Sequence, residues 1–141
     1  MQDAVLKEFP QDTIVNTYWL PMVGAAIELN QHNSGKALEL LRAAQGYELG
    51  FPTPFGIAPL AVLYLRGYGL LTAGQSKDAS AEFQRILDHT DIVGNSPLGS
   101  LAHLGLGRSL GAAGGKEKAR AAYQDFLTLW KDADPDIPIL K

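Results

Sequence analysis

Several absences restrict what this chain can be. It contains no cysteine in 141 residues, which excludes disulfide bonds and thiolate metal sites. No apolar run approaches the roughly 20 residues that a transmembrane helix needs. The 12 basic residues are interleaved with 15 acidic ones, so the chain lacks the basic stripe that nucleic-acid binding requires. We therefore expect neither a nucleic-acid partner nor direct insertion into a membrane.

The composition is that of a folded globular chain. Apolar residues make up 46% of the sequence and charged residues 19%, which excludes a disordered or fibrous protein. A chain of this length is long enough to bury a core of its own. We expect a single domain over residues 1–141.

Apolar residues recur at helical spacing, and the helices pair into hairpins. Asp12 and Thr13 can cap the first helix, and Pro21 predicts a kink or a restart inside it. Ser96 is placed to cap a later helix, because a proline follows it at the first helical position. The predicted repeats are residues 12–45, 58–88 and 97–131, preceded by the end of a helix at 2–10 and followed by an irregular tail at 132–141.

An alanine marks the second helix of each hairpin and recurs about every 40 residues, at Ala37, Ala79 and Ala119. Each is followed four residues later by a large side chain and preceded twelve residues earlier by a small one. The large residues are Leu41, Phe83 and Tyr123, and the small ones are Ala25, Gly67 and Gly107. Small residues at a helix crossing allow close approach, and a large residue then fills the adjacent groove. The pattern predicts that each pair of helices packs together.

This pattern resembles the tetratricopeptide repeat, or TPR. The first aromatic position of that signature is occupied here by Pro21, Leu63 and His103 instead, and the period is longer than usual. The resemblance implies an all-α fold in which antiparallel helix-turn-helix hairpins stack as a short right-handed solenoid.

Four longer stretches of the sequence resemble one group of proteins that contain this repeat. They are YWLPMVGAAIELN, YELGFPTPFG, HTDIVGNSPLGSLAHLGLGRSL and KARAAYQDFLTLWKDADPDIPILK. They are similar to the C-terminal TPR region of certain bacterial serine/threonine protein kinases, where the pattern continues beyond the position of Lys141 as another helix. The resemblance implies a signalling protein whose kinase domain lies outside this chain. It also implies a cytoplasmic location by default, or an extracytoplasmic one if the kinase is anchored in a membrane.

The catalytic and nucleotide-binding motifs that the sequence suggests are each incomplete or missing. The sequence GLGRSLG has Leu110 where a dinucleotide fingerprint needs its third glycine, and kinase signatures are missing. His32, His89 and His103 fall in different elements without a partner at helical spacing. We expect a non-catalytic module without a metal or cofactor.

The expected binding surface is the concave groove that the first helices of stacked hairpins form. Its predicted lining residues are Trp19, Met22, Tyr64, Tyr68, Leu104 and Arg108. Trp19 is better explained as a core residue, whereas Tyr64, Tyr68 and Arg108 fit core and binding roles equally. Tyrosine and arginine are frequent in binding hot spots because each combines a large area with polar groups. We expect a protein segment as the partner.

The connection over residues 46–59 is long for a compact domain and carries Tyr47, Phe51 and Phe55. It either covers the apolar joint between the first two hairpins, or closes over the groove as a lid, or is a recognition surface. Covering the joint is the favoured interpretation.

Two alternative functions remain open. The last predicted helix carries Tyr123, Phe126, Leu127 and Trp130, and an exposed apolar end of a repeat array can drive self-association. A small-molecule sensor with an aromatic pocket under the 46–59 connection is the other alternative.

Overall fold

The computed structural model describes residues 2–50, 60–134 and 136–140. Within these ranges the chain forms eight α-helices and no β-strand, which confirms the all-α class. The helices are α1 (Gln2–Glu8), α2 (Leu20–Asn30), α3 (Ser34–Leu41), α4 (Ala61–Thr72), α5 (Ser76–Leu87), α6 (Thr90–Val93), α7 (Pro97–Ala112) and α8 (Lys116–Leu129).

From α2 onward, helices that are neighbours in the chain are also neighbours in space. The pairs α2–α3, α4–α5 and α7–α8 pack against each other, and we call them hairpins one, two and three. Hairpin one contacts hairpin two through α3 and α4, and hairpin two contacts hairpin three through α5 and α7. The first helices also touch one another, α2 with α4 and α4 with α7.

The chain enters hairpin one through a widened helical turn. The Asp12 side chain caps it, because its Oδ1 accepts a hydrogen bond from the Val15 amide at 2.9 Å. Residues Val15–Trp19 form a π-helical turn directly before α2, which contains Pro21. Proline lacks an amide hydrogen and its ring collides with the carbonyl one turn earlier, so the regular pattern is interrupted there. The predicted interruption is present, and it lies before the proline.

Two local features differ from the sequence-based expectation. The first predicted repeat extended to residue 45, but its second helix α3 ends at Leu41 and the chain continues in tight turns to the 3₁₀ turn Gln45–Tyr47. The connection between the second and third predicted repeats contains the short helix α6, which the sequence analysis did not predict. Ser96 caps α7 as predicted, because its Oγ accepts from the Leu98 amide at 3.3 Å.

The small residues of the repeat lie against the large ones. A Cβ added to Gly67 would lie 3.0 Å from Cζ of Phe83, and one added to Gly107 would lie 2.7 Å from Cδ1 of Tyr123. The Phe83 ring also faces Gly105 of hairpin three, where an added Cβ would lie 2.5 Å from Cε1 and Cζ. Phe83 therefore fills the space between two hairpins, and only glycine leaves that space open.

Two apolar clusters form the core. The first joins hairpin one to the start of α4, and its buried members are Tyr18, Met22, Ala25, Leu29, Ala37, Leu41, Ala44 and Val62. The second joins hairpin two to hairpin three, and its buried members are Leu60, Leu63, Ala79, Phe83, Ile86, Val93 and Ala102. Each cluster combines residues of two neighbouring hairpins. A single hairpin therefore does not complete a core without its neighbour.

Gly105→Ala is expected to destabilise the protein by about 1–3 kcal/mol, because the added methyl group collides with the Phe83 ring. Urea denaturation followed by circular dichroism measures the change. Phe83→Leu should cost less in the Gly105→Ala background than in the wild type, since the smaller side chain relieves the collision.

Gly35→Ala is the matched control. Gly35 lies in α3 with no neighbouring atom within 4 Å of an added Cβ. The Gly35→Ala substitution should therefore raise the free energy of unfolding by about 0.4–1 kcal/mol, because alanine lowers the entropy of the unfolded chain. Equal effects of the two substitutions would contradict the packing of Phe83 between glycines.

Candidate protein-binding groove

A groove runs between α2 and α4 on the side where the first helices meet. It contains a cavity of about 270 Å³. The cavity is lined by Ala26, Leu29, Asn30, Tyr64, Leu65 and Tyr68. The surface is apolar at its base, while tyrosine hydroxyls and an amide supply polar groups. We call this surface the α2–α4 groove.

Tyr64 is the anchored member of the groove. Its ring packs edge-on against Phe83 at a centroid distance of 5.8 Å, so one side is held by the second core cluster. Burial raises the pKa of the Tyr64 hydroxyl above its usual value of 10, although the positive charge of Arg108 partly offsets this. Tyr68 adds slightly to the rise in pKa. Tyr64 therefore stays a neutral hydrogen-bonding group at physiological pH.

Tyr68 and Arg108 supply the exposed part of this surface. Both side chains influence the Tyr64 hydroxyl electrostatically, which places residues from α4 and α7 together. Arg108 is exposed, and within the described part of the chain no carboxylate forms an ion pair with it. The Arg108 guanidinium, close enough to affect Tyr64, can donate hydrogen bonds to an acidic group or a backbone carbonyl of a partner.

The other predicted groove residues contribute mainly to the core. Met22 is 6% exposed and belongs to the first core cluster, and Leu104 is also buried. Trp19 is partly buried and packs edge-on against Tyr18 at 5.1 Å. Helical spacing assigns these residues to the groove side, but it does not show which of them the neighbouring helices cover.

The first part of the 46–59 connection packs on hairpin one. Tyr47 is partly buried against the first core cluster, with its ring 6.0 Å from that of Tyr18. This contact agrees with the interpretation that the connection covers an apolar joint. Phe51 and Phe55, the other predicted residues of this segment, lie outside the described residues.

A partly buried charge network, which sequence reasoning missed, holds the same connection. Glu48 is only 8% exposed and accepts hydrogen bonds from Arg66 and from Arg85, the latter at 2.8 Å. Arg66 also donates to Glu82 at 2.6 Å, and Arg85 lies 3.5 Å from the same carboxylate. We call these four residues the charge ring. Glu82 and Arg85 lie three residues apart on α5, but nothing in the sequence links Glu48 and Arg66 to them.

The charge ring keeps the Glu48 carboxylate ionised. Burial alone would raise the pKa of Glu48, but hydrogen bonds from Arg66 and Arg85 outweigh it and hold the pKa below its usual value. The opposite charges balance inside the ring, so the cost of burying them is offset only while every member is present. The ring therefore fixes the start of the connection to α4 and α5.

A second cavity, of about 620 Å³, lies where α6 meets the start of α7 and the end of α8. Its lining includes Ile86, Val93, Ser100, His103 and Trp130. His103 Nδ1 lies 3.7 Å from an Asp125 carboxylate oxygen, a distance too long for a hydrogen bond. The sequence pointed to a pocket under the 46–59 connection and gave no signal for this one.

The described residues contain no helix that combines the length and the apolar character needed to cross a membrane. They also contain no cluster of three or more histidine, aspartate or glutamate side chains suited to a metal ion. Comparison with family models, with curated proteins and with solved structures finds no match. The geometry of the groove is therefore the basis for a functional proposal.

Glu48→Gln is expected to lower the free energy of unfolding at pH 7 by about 1.5–3 kcal/mol, because it removes charge-assisted hydrogen bonds to two arginines. Urea denaturation measures the loss. Glu39→Gln replaces an exposed glutamate of hairpin one and should change stability by less than about 0.5 kcal/mol.

The difference between the wild type and Glu48→Gln depends on pH. Because the pKa of Glu48 is lowered by folding, its contribution is complete above the unfolded value of about 4.3 and is lost as the pH falls through the folded pKa. Denaturation curves from pH 7 to pH 3 should converge below about pH 4.3. Parallel curves over this range would show that Glu48 is not stabilised as a carboxylate.

Proposed function

We propose that the chain is a non-catalytic TPR-like module that binds a protein segment through the α2–α4 groove. The observation that carries this proposal is the grouping of Tyr64, Tyr68 and Arg108 beside an apolar cavity. These side chains come from two different hairpins, so the surface exists only when the hairpins are stacked.

The contacts between helices support a TPR-like solenoid. The first helices α4 and α7 each contact their own second helix, the second helix of the preceding hairpin, and the first helix of that hairpin. In a right-handed stack of this kind the first helices line the concave side. The small-to-large contacts of Gly67 with Phe83 and of Gly107 with Tyr123 occur at the repeat positions that suggested this family.

The chemistry of the groove favours a segment with an apolar side chain next to an acidic or carbonyl oxygen. Ala26, Leu29 and Leu65 offer an apolar base for the first group. The tyrosine hydroxyls and the Arg108 guanidinium offer donors for the second. Both tyrosines combine a rigid ring with a polar end, which suits them to act as binding hot spots.

The cellular setting follows from the sequence resemblance alone. We propose that the module is the regulatory or sensor region of a larger bacterial serine/threonine kinase, with the catalytic activity in another domain of that protein. The flanking sequence tests this directly: a kinase domain upstream supports the proposal, and its absence contradicts it.

Peptides selected from a random displayed library against the chain test the groove. Tyr64→Ala and Arg108→Glu should each weaken the binding of the recovered peptides by about tenfold or more in Kd, equivalent to about 1.4 kcal/mol. Isothermal titration calorimetry measures both the affinity and the fraction of active protein.

Lys118→Glu is the control, because it reverses an exposed charge on α8, outside the α2–α4 groove. Its affinity for the peptides should match the wild type. If Tyr64→Ala and Arg108→Glu fold normally and bind the peptides as tightly as the wild type does, the groove is not the binding site.

A further inference from the structure

Another cavity, of about 430 Å³, lies where α3 and the turn that follows it meet α4 and α5, so it is formed by hairpins one and two together. Its volume falls within the range of small-molecule sites, about 300–1,000 Å³. Among the described residues it shares none of its lining with the α2–α4 groove. We call it the arginine cavity. Its polar lining residues are Arg42, Gln45, Arg66, Gln75, Glu82 and Arg85.

The lining of the arginine cavity carries a net positive charge. Three arginines against one glutamate give its described lining residues a formal charge of +2. Glu48, the remaining member of the charge ring, is not part of this lining and lowers the total of the cluster to +1. The chain as a whole carries −3 at pH 7. The positive charge is therefore a local feature of this cavity, and it favours a negatively charged ligand.

The three arginines of this cavity have hydrogen-bond donors left for a ligand. Arg42 is exposed, and none of the carboxylates in the described ranges forms an ion pair with it. Arg66 and Arg85 each use two of their five N–H groups in the charge ring. The contact of Arg85 with Glu82, at 3.5 Å, is at the limit of a hydrogen bond. An anion can therefore bind these arginines without displacing either glutamate of the ring.

The charge ring holds two of the three arginines in place before a ligand binds. Arg66 donates to Glu48 and to Glu82, the latter at 2.6 Å, and its side chain is only 16% exposed. A side chain that is already fixed loses little freedom on binding, so less of the binding energy is lost to ordering. Leu38 of α3 and Leu70 of α4 also line the cavity and offer an apolar surface for an organic group.

We propose that the arginine cavity binds a small organic phosphate, with the phosphoryl group at the three arginines and the organic part against the two leucines. A phosphate monoester carries about −1.5 to −2 charges at pH 7, which matches the +2 of the lining. Its three oxygens accept charge-assisted hydrogen bonds, and arginine binds phosphate with two donors at once. A carboxylate brings only one negative charge and two oxygens. The site does not depend on the α2–α4 groove, because neither tyrosine of that groove takes part.

Isothermal titration calorimetry of the chain with phenyl phosphate tests the site. Arg42→Gln should weaken the binding by about tenfold or more in Kd, because it removes hydrogen bonds between charged groups. Arg42→Lys should recover only part of the loss, since lysine keeps the charge but lacks the planar donor pair. Benzoate has the same ring but one carboxylate, and it should bind the wild type about tenfold more weakly than phenyl phosphate or worse. This comparison uses the wild type alone, so it does not depend on how the variants fold.

Arg120→Gln is the matched control, because it removes an exposed arginine of α8, outside the arginine cavity. It should bind phenyl phosphate like the wild type, and circular dichroism should show that all variants keep their helices. A wild type that does not bind phenyl phosphate at about 10 mM overturns the proposal, and so does equal binding by Arg42→Gln. A peptide with one phosphoserine separates the two sources of the phosphate. Weaker binding of the peptide supports a small molecule, whereas binding more than about tenfold tighter than that of phenyl phosphate overturns it in favour of a phosphorylated protein segment.

Discussion

The Phe83 ring sets the distance between hairpins two and three, because it lies between two residues that have no side chain. A Cβ on Gly105 of the next hairpin would lie 2.5 Å from the ring, closer than real Cβ atoms approach, and one on Gly67 of its own hairpin would lie 3.0 Å away, which is tighter than most Cβ contacts. Close packing of this kind leaves little freedom, since one added methyl group forces the ring or a helix to move. The position of α7 relative to α4 follows from it, and so does the place of Arg108 beside Tyr64.

The helical hairpins could be predicted from the sequence because their signals are local. Periodic apolar residues, the Asp12 and Ser96 caps and the recurring alanines each act within one or two turns of helix. The pairing of Gly67 with Phe83 and of Gly107 with Tyr123 also followed from the repeat, since it holds within one hairpin. The second contact of Phe83, with Gly105, depends on how hairpins stack, and spacing within one hairpin does not reveal it.

The candidate groove was predicted in part. Tyr64, Tyr68 and Arg108 were assigned to it from their repeat positions, and the structure brings these three together. Met22 was assigned by the same rule, but it is buried in the first core cluster. Met22 lies four residues before Ala26, which lines the groove, so helical spacing puts both on one face and does not show which of the two the core covers. The charge ring could not be predicted, because its four side chains come from three segments of the chain that only the fold brings together.

The charge ring has a consequence for how the protein can be divided. Glu48 belongs by sequence to the connection that leaves hairpin one, yet its carboxylate is bound by arginines of both helices of hairpin two. A fragment that began at α4 would keep Arg66 and Arg85 but would lose the carboxylate that joins them, leaving one glutamate for two guanidinium groups. The smallest autonomous unit that contains hairpin two therefore starts before residue 48, and the boundaries of the structural unit are shifted upstream of the boundaries of the repeat.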